Sequence, residues 1–158
     1  MRTSLHSCLN HDFCVNEALH KAELICQDKG LRFTELRRKV LEMIWGSHSP
    51  AKAYAILDKL KEEDVSAKPP TVYRTLDFLR QNGLVHKLNS LNAYVGCSHP
   101  LKHSECYFLI CGACGEAKEC CNSELAQAIS KTASKNKFRP KHITLEIEGE
   151  CQECRKNR

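Results

Sequence analysis

Two cysteine pairs carry the chemistry most open to reading in this chain: Cys111-Gly-Ala-Cys114 and, near the C-terminus, Cys151-Gln-Glu-Cys154. Two C-x-x-C pairs set far apart can bring four thiolates to one tetrahedral centre, which is what a closed structural zinc site requires. Each pair turns two sulfurs toward the same ion, and Gly112 and Gly115 suit a tight loop whose backbone passes close to it. A single pair would read equally well as a redox couple. Paired spacing, with the first knuckle at a predicted hairpin and the second after a predicted strand, points to metal instead.

A second constellation has mixed donors. His86, Cys97, His103 and Glu119 offer imidazole, thiolate and carboxylate, a set that suits a four-coordinate zinc bound less tightly and more pH-sensitively than an all-thiolate one. Its predicted place at the joint between two domains would let an ion fix their relative angle. Cys106, Cys120, Cys121 and His99 compete for the same role. For these the plainer expectation is a passive thiol or surface imidazole, with Cys120-Cys121 a strand end carrying one buried side chain. His6, Cys8, His11 and Cys14 could also bind metal, but a polar N-terminal tail explains them more simply. No triad, phosphate loop or paired-carboxylate site is evident, and filling all four zinc positions with protein ligands argues against hydrolysis. The expectation is a protein without enzymatic activity.

The elements that must position these residues follow from the patterning. The chain has 158 residues, 42% hydrophobic and 27% charged, with net charge +5 and a pI near 8.6. That is an ordinary globular composition, long enough for two small domains and mildly suited to a polyanionic partner. No apolar run is long enough to span a membrane, and the start lacks a signal-peptide core, so a cytoplasmic protein is expected. In that compartment eleven cysteines would not form a disulfide framework.

Residues 1–14 read as a flexible arm. From Val15 an apolar stripe predicts a helix that Gly30 stops; Thr34 caps a second helix, and Pro50 leads into a third. In Lys68-Pro-Pro-Thr-Val-Tyr-Arg74 the prolines enforce an extended approach and Thr71 is expected to cap a fourth helix. Its Val72, Leu76 and Leu79 face inward, leaving Thr71, Tyr73 and Arg74 at an exposed first turn. Gly83 ends this helix, and strands around Leu84–Leu88 and Ala93–Val95 follow. Helices and then a hairpin make a winged helix-turn-helix over 15–96, whose last helix enters the DNA major groove. After a hinge at 97–103, a β-β-α-β unit over 104–158 is predicted, with strands at Glu105–Ile110, Glu116–Cys120 and His142–Glu148 and a helix over Ser123–Lys137. The fold class is therefore α+β, a winged-helix domain followed by a small α/β domain with a four-cysteine zinc site.

These motifs as a set resemble the ferric uptake regulator family, most closely its zinc uptake regulator branch, across about residues 15 to 154. The resemblance rests on Arg32-Phe-Thr-Glu-Leu-Arg37, Ala67-Lys-Pro-Pro-Thr-Val-Tyr-Arg-Thr-Leu-Asp-Phe-Leu79, Gly83-Leu-Val-His-Lys87, Asn92-Ala-Tyr-Val-Gly-Cys97 and the two C-x-x-C knuckles. It implies a homodimeric repressor that binds operator DNA when regulatory zinc is bound and controls zinc uptake genes, with two zinc ions per chain. Cys111, Cys114, Cys151 and Cys154 look like the structural ligands. His86, Cys97, Glu119 and a linker histidine, His103 or His99, look like the regulatory ones. Tyr73 and Arg74 fall on the recognition helix. Two departures stand out. Glu35 follows Thr34 where the family has proline, and the linker between Cys97 and Cys111 differs in length from the family's, which leaves His103 and His99 as alternatives. Ser104-Glu-Cys-Tyr-Phe-Leu stands where the iron-type and peroxide-sensing branches have a His/Asp-rich run, which argues against both.

Overall fold

The order of helices, hairpin, sheet and helix in the computed structural model follows from local signals that the sequence carries in most places. The structure describes residues 11–47, 49–63, 67–141 and 143–157. The chain divides into two units, Met1–Ser98 and His99–Arg158.

In the first unit α1 spans His11–Asp28, α2 Glu35–Trp45, α3 Ala53–Glu63 and α4 Pro69–Gln81. The Thr34 side chain accepts a hydrogen bond from the Arg37 N–H at 3.4 Å, the expected cap of α2, and Glu35 places an acid at the positive end of that helix. Gly30 and Gly83 take positive φ just past α1 and α4, the left-handed conformation that ends helices cheaply only at glycine. Val40, Leu41 and Ile44 of α2, Ile56 and Leu60 of α3, and Val72, Leu76 and Leu79 of α4 share one core with Leu19, Ala22 and Cys26 of α1. Fully burying each leucine of this kind contributes about 1.5–3 kcal/mol, so the apolar stripes decide how the helices pack.

The hairpin is β1, Val85–Leu88, antiparallel to β2, Ala93–Gly96, with His86 opposite Val95. Ala51 adds a short third rung: its N–H donates to the Tyr94 carbonyl, and the Tyr94 N–H returns to the Ala51 carbonyl, both at 2.8 Å.

Three expectations need correction here. His11–Cys14 were expected in the flexible arm but form the first turn of α1, where Asp12 complements the helix dipole. His6 and Cys8 lie outside the described residues. Thr71 does not cap α4. The helix begins at Pro69 with Lys68 as N-cap, and Lys68 makes no side-chain capping bond. Prolines suit the first turn because they lack the N–H that would go unsatisfied there, and the residue before them is held extended, as Lys68 is at φ −115, ψ 148. The Thr71 carbonyl instead accepts from the Thr75 hydroxyl at 2.9 Å.

In the second unit a 3₁₀ segment, Pro100–Glu105, occupies most of the stretch read as a hinge. Next come β3 Cys106–Cys111, β4 Ala117–Cys121, α5 Ser123–Lys135, β5 Glu146–Gly149 and a short α6, Gln152–Lys156. The sheet order is β4-β3-β5, antiparallel between β3 and β4 and parallel between β3 and β5. The last strand is the third correction. It starts at Glu146 rather than at His142, which lies outside the described residues. Phe108 N–H still donates to the Leu145 carbonyl at 2.9 Å, so the extended run meets β3 before the regular ladder begins. Asn122 caps α5 by accepting from the Leu125 N–H at 3.0 Å, and Leu125, Ala126 and Ile129 are half-buried as the helical spacing predicts.

Candidate metal centre

The parallel pairing of β3 with β5 builds the four-sulfur site. Register sets Cys111, the last residue of β3, opposite Gly149, and Gly112 N–H donates to the Gly149 carbonyl at 2.9 Å. Two residues beyond Gly149, Cys151 therefore arrives beside Cys111, and its N–H points at the Cys111 sulfur at 3.3 Å. Cys151 is also the N-cap of α6, so Cys154 lies one turn further on the same helix. On the other side, the Gly115 N–H donates to the Cys111 carbonyl at 2.8 Å and closes the knuckle that carries Cys114. Gly115 takes φ 73, a conformation a side chain would strain.

The four sulfurs all lie within 4.8 Å of one another, with Cys114 and Cys151 4.0 Å apart. Sulfurs bound at 2.3 Å to a tetrahedral ion are separated by about 3.8 Å, so small side-chain rotations bring this set onto a zinc-class ion. The environment also differentiates the thiols. N–H bonds from Cys151 and then Cys114 lower Cys111 to about 6. Cys154 is pushed up to about 12, first by the Cys151 sulfur and then by desolvation and the remaining thiols. For Cys114 the Glu116 N–H lowers the pKa, but desolvation and the Cys111 sulfur outweigh it and the thiol is raised.

Between about pH 6 and 8, Cys111 enters as thiolate while Cys114 and Cys154 must each release a proton to bind. Apparent zinc affinity should then rise by at least about 2 log units per pH unit, steepening below pH 6 where Cys111 adds a further proton. Competition against a chromophoric chelator across that range measures the slope, and a slope below one would mean that these thiols are not the ligands.

The mixed-donor residues are placed as follows. His86 is on β1 and buried, and Cys97 follows β2 and is buried, its N–H donating to the Leu84 carbonyl at 3.0 Å. The hairpin thus holds their ligand atoms within 4.8 Å of each other. In the second unit His103 lies on the 3₁₀ segment and is half-buried, and Glu119 is on β4. Glu119, His99 and Cys121 have ligand atoms within 4.8 Å of one another.

The competitors prove less passive than expected. Cys106 and Cys121 are joined as a disulfide, against the expectation that these cysteines would stay unbridged, and neither Cys120 nor Cys121 is a buried strand end. The cause is register. Cys106 and Cys121 sit directly opposite each other on β3 and β4, with Cα atoms 4.0 Å apart. The Cys121 sulfur also lies 3.6 Å from His99 Nδ1. Sequence reasoning missed this pairing, for which the only signal was two cysteines at opposite ends of a predicted hairpin.

On α4, Thr71, Tyr73 and Arg74 are exposed, while Val72, Thr75, Leu76 and Leu79 are buried. The helix therefore packs one face into the core and turns the first half of the other outward.

With this geometry established, comparison with known proteins decides the family. The model of the ferric uptake regulator family matches residues 28–148. The chain belongs to that family. The zinc uptake regulation protein from Escherichia coli (strain K12) is 40% identical over 141 residues, covering 87% of this chain and 81% of that protein. Among solved structures, holo XcZur superposes with a TM-score of 0.83 at 40% identity over 89% of this chain and 99% of the other. A zinc uptake regulator complexed with zinc and DNA superposes at 0.85 with 37% identity, covering 90% and 96%. Family membership and the four-sulfur cluster agree with the resemblance drawn from the motifs. No helix among the described residues is long and apolar enough to cross a membrane.

Proposed function

We propose that this protein is a zinc-responsive transcriptional repressor of zinc uptake genes, cytoplasmic and without enzymatic activity, which binds operator DNA as a homodimer when a regulatory zinc is bound. The observation that carries the reading is the similarity, over most of both chains, to a zinc uptake regulation protein and to a regulator complexed with zinc and DNA. Two zinc ions per chain divide the work. One is held by Cys111, Cys114, Cys151 and Cys154 and fixes the second unit. The other is taken by His86 from the winged-helix domain, Cys97 and His103 from the two ends of the hinge, and Glu119 from the metal-binding domain. In domain terms, 15–96 binds DNA, 97–103 is the hinge and 104–158 dimerises.

Physical considerations support the division. His86 and Cys97 are already gathered by the hairpin, so the regulatory ion needs to recruit only the remaining ligands. Moving a two-state equilibrium from mostly inactive to mostly active takes about 5.5 kcal/mol of differential binding, a fraction of the roughly 10–16 kcal/mol that structural zinc sites supply. Dimerisation through the second unit is supported by β5, which is an edge of the sheet. Leu109 and Ile147, register partners on β3 and β5, are 40% and 45% exposed, and Phe138 is 65% exposed. A second copy would cover such apolar surface.

For DNA, Thr71, Tyr73 and Arg74 project from the first half of α4, the part of a recognition helix that meets base edges and phosphates. Arg74→Ala should lower the magnitude of the salt slope of operator binding by about 0.9 for each phosphate the arginine neutralises, hence about 2 for a dimer, with zinc content unchanged. Binding isotherms at several salt concentrations give that slope; an unaltered slope places Arg74 off the backbone.

The test of the function as a whole is stepwise chelation of protein purified with zinc, following metal content and DNA binding together. Loss of one zinc per chain with loss of specific DNA binding, while the dimer and one tight zinc remain, is the expected course. Both ions leaving together as the fold collapses, or DNA binding indifferent to zinc, would overturn it.

A further inference from the structure

Four donors that the structural zinc does not use meet within the second unit. Cys106 and Cys121 face each other across β3 and β4. Glu119, two residues before Cys121 on β4, projects from the same face of that strand. His99 stands just before the 3₁₀ segment with its Nδ1 3.6 Å from the Cys121 sulfur. The ligand atoms of His99, Glu119 and Cys121 lie within 4.8 Å of one another, and those of Cys106 and Glu119 are equally close.

We propose that Cys106, Cys121, His99 and Glu119 form a further metal site of the second unit, taking a zinc-class divalent ion when the two sulfurs are reduced and closed to it when they are joined. The donor set, two thiolates, an imidazole and a carboxylate, has the number and softness of a tetrahedral zinc or cobalt site. A thiolate at 2.3 Å and an imidazole nitrogen at 2.0–2.1 Å from a tetrahedral ion are separated by about 3.5 Å, against the 3.6 Å between Cys121 and His99. The backbone thus already places one edge of the tetrahedron. Opening the disulfide and rotating the two side chains to about 3.8 Å completes the sulfur edge. His99 is exposed, which gives the ion a route from solvent.

The redox step balances with a peroxide as oxidant. The two thiolates give up two electrons and form one S–S bond. The O–O bond of hydrogen peroxide breaks, takes up those electrons with two protons and leaves as two waters, and the ion departs hydrated. A dithiol reductant reverses the change by exchange. Glu119 also belongs to the regulatory set proposed above, and to that extent the site rests on that reading; the two sulfurs and His99 do not.

The test uses the full chain carrying its tight zinc, in a Cys97→Ser background so that the regulatory set is already broken. Cobalt(II) is titrated after reduction with a phosphine and again after hydrogen peroxide treatment that leaves the tight zinc in place. The expected result is about one further cobalt per reduced chain, with the thiolate-to-cobalt absorption that two sulfurs give. The uptake is lost on oxidation, recovered with a dithiol, and absent when Cys106→Ser and Cys121→Ser are combined. His99→Ala, at an exposed position that leaves the β3–β4 pair intact, should weaken it at least about tenfold, since even outer-shell partners contribute about 10–100-fold. Equal cobalt uptake by reduced and oxidised protein, or uptake and absorption unaffected by His99→Ala, overturns the site. Because Cys97 is already replaced, failure of the regulatory reading does not change either result.

Discussion

Replacing Cys111 with serine should unfold the second unit while leaving the first unit folded. The first unit has a core of its own, built from α1 to α4 and the hairpin. The second has a thinner one. Phe108, Ile110, Ala117 and the cysteines at Cys106 and Cys111 are buried, but α5, β5 and α6 contain no buried residue. A unit of this size buries too little apolar surface to hold itself. A structural zinc binds with about 10–16 kcal/mol, comparable to or larger than the roughly 5–15 kcal/mol stability of an ordinary domain. Cys111 is also the sulfur that the neighbouring N–H groups hold closest to thiolate, so its loss removes the ligand best prepared for the ion. The variant should retain one zinc fewer per chain, run as a monomer and lose hydrogen-exchange protection in β3, β4 and β5 while α2 and α4 keep theirs. Native protection throughout the sheet in the serine variant would show that the four sulfurs are not what holds it.

That contrast between units also marks how far local reading could go. Helices α2 and α4 were legible because their caps, prolines and terminal glycines lie within a few residues of the apolar stripes they bound. The knuckle cysteines were legible because metal ligation imposes spacing along the chain. Thr71 was misplaced within its helix by only a few residues. Two signals compete there, a capping side chain and a proline pair, and proline decides because its ring fixes φ. The β5 start and α6 were misjudged or unread for a different reason: five helical residues carry no period, and β5 is defined by what β3 offers it. The Cys106–Cys121 pair is the extreme case. Fifteen residues separate the two cysteines, and only the β3–β4 register brings them together. A slip of one residue would turn Cys121 to the other face. The Cys106–Cys121 contact, which no spacing motif marks, was therefore invisible, whereas the C-x-x-C spacing marked the knuckle cysteines even though strand pairing is what brings the two pairs together.

Cys97→Ser should separate the two metal functions from the other side, leaving a folded protein that no longer responds to zinc. Cys97 is buried at the end of the hairpin, and the backbone bond from its N–H to the Leu84 carbonyl is one that serine, close to it in size, keeps. The four-sulfur site stands on other elements entirely and should still carry its zinc. What is lost is the only thiolate in the proposed regulatory set, the ligand that binds a zinc-class ion most strongly. If zinc shifts a two-state equilibrium from about 1:99 to 99:1, it does so through a roughly 10⁴-fold preference for the active state. Removing the thiolate should return operator binding at saturating zinc to the zinc-free level, a loss on the order of 100-fold. The measurements are operator affinity with and without zinc, zinc content per chain and the thermal midpoint. Unchanged zinc activation would remove Cys97 from the ligand set. Loss of the tight zinc along with activation would mean that the division between structural and regulatory ions does not exist.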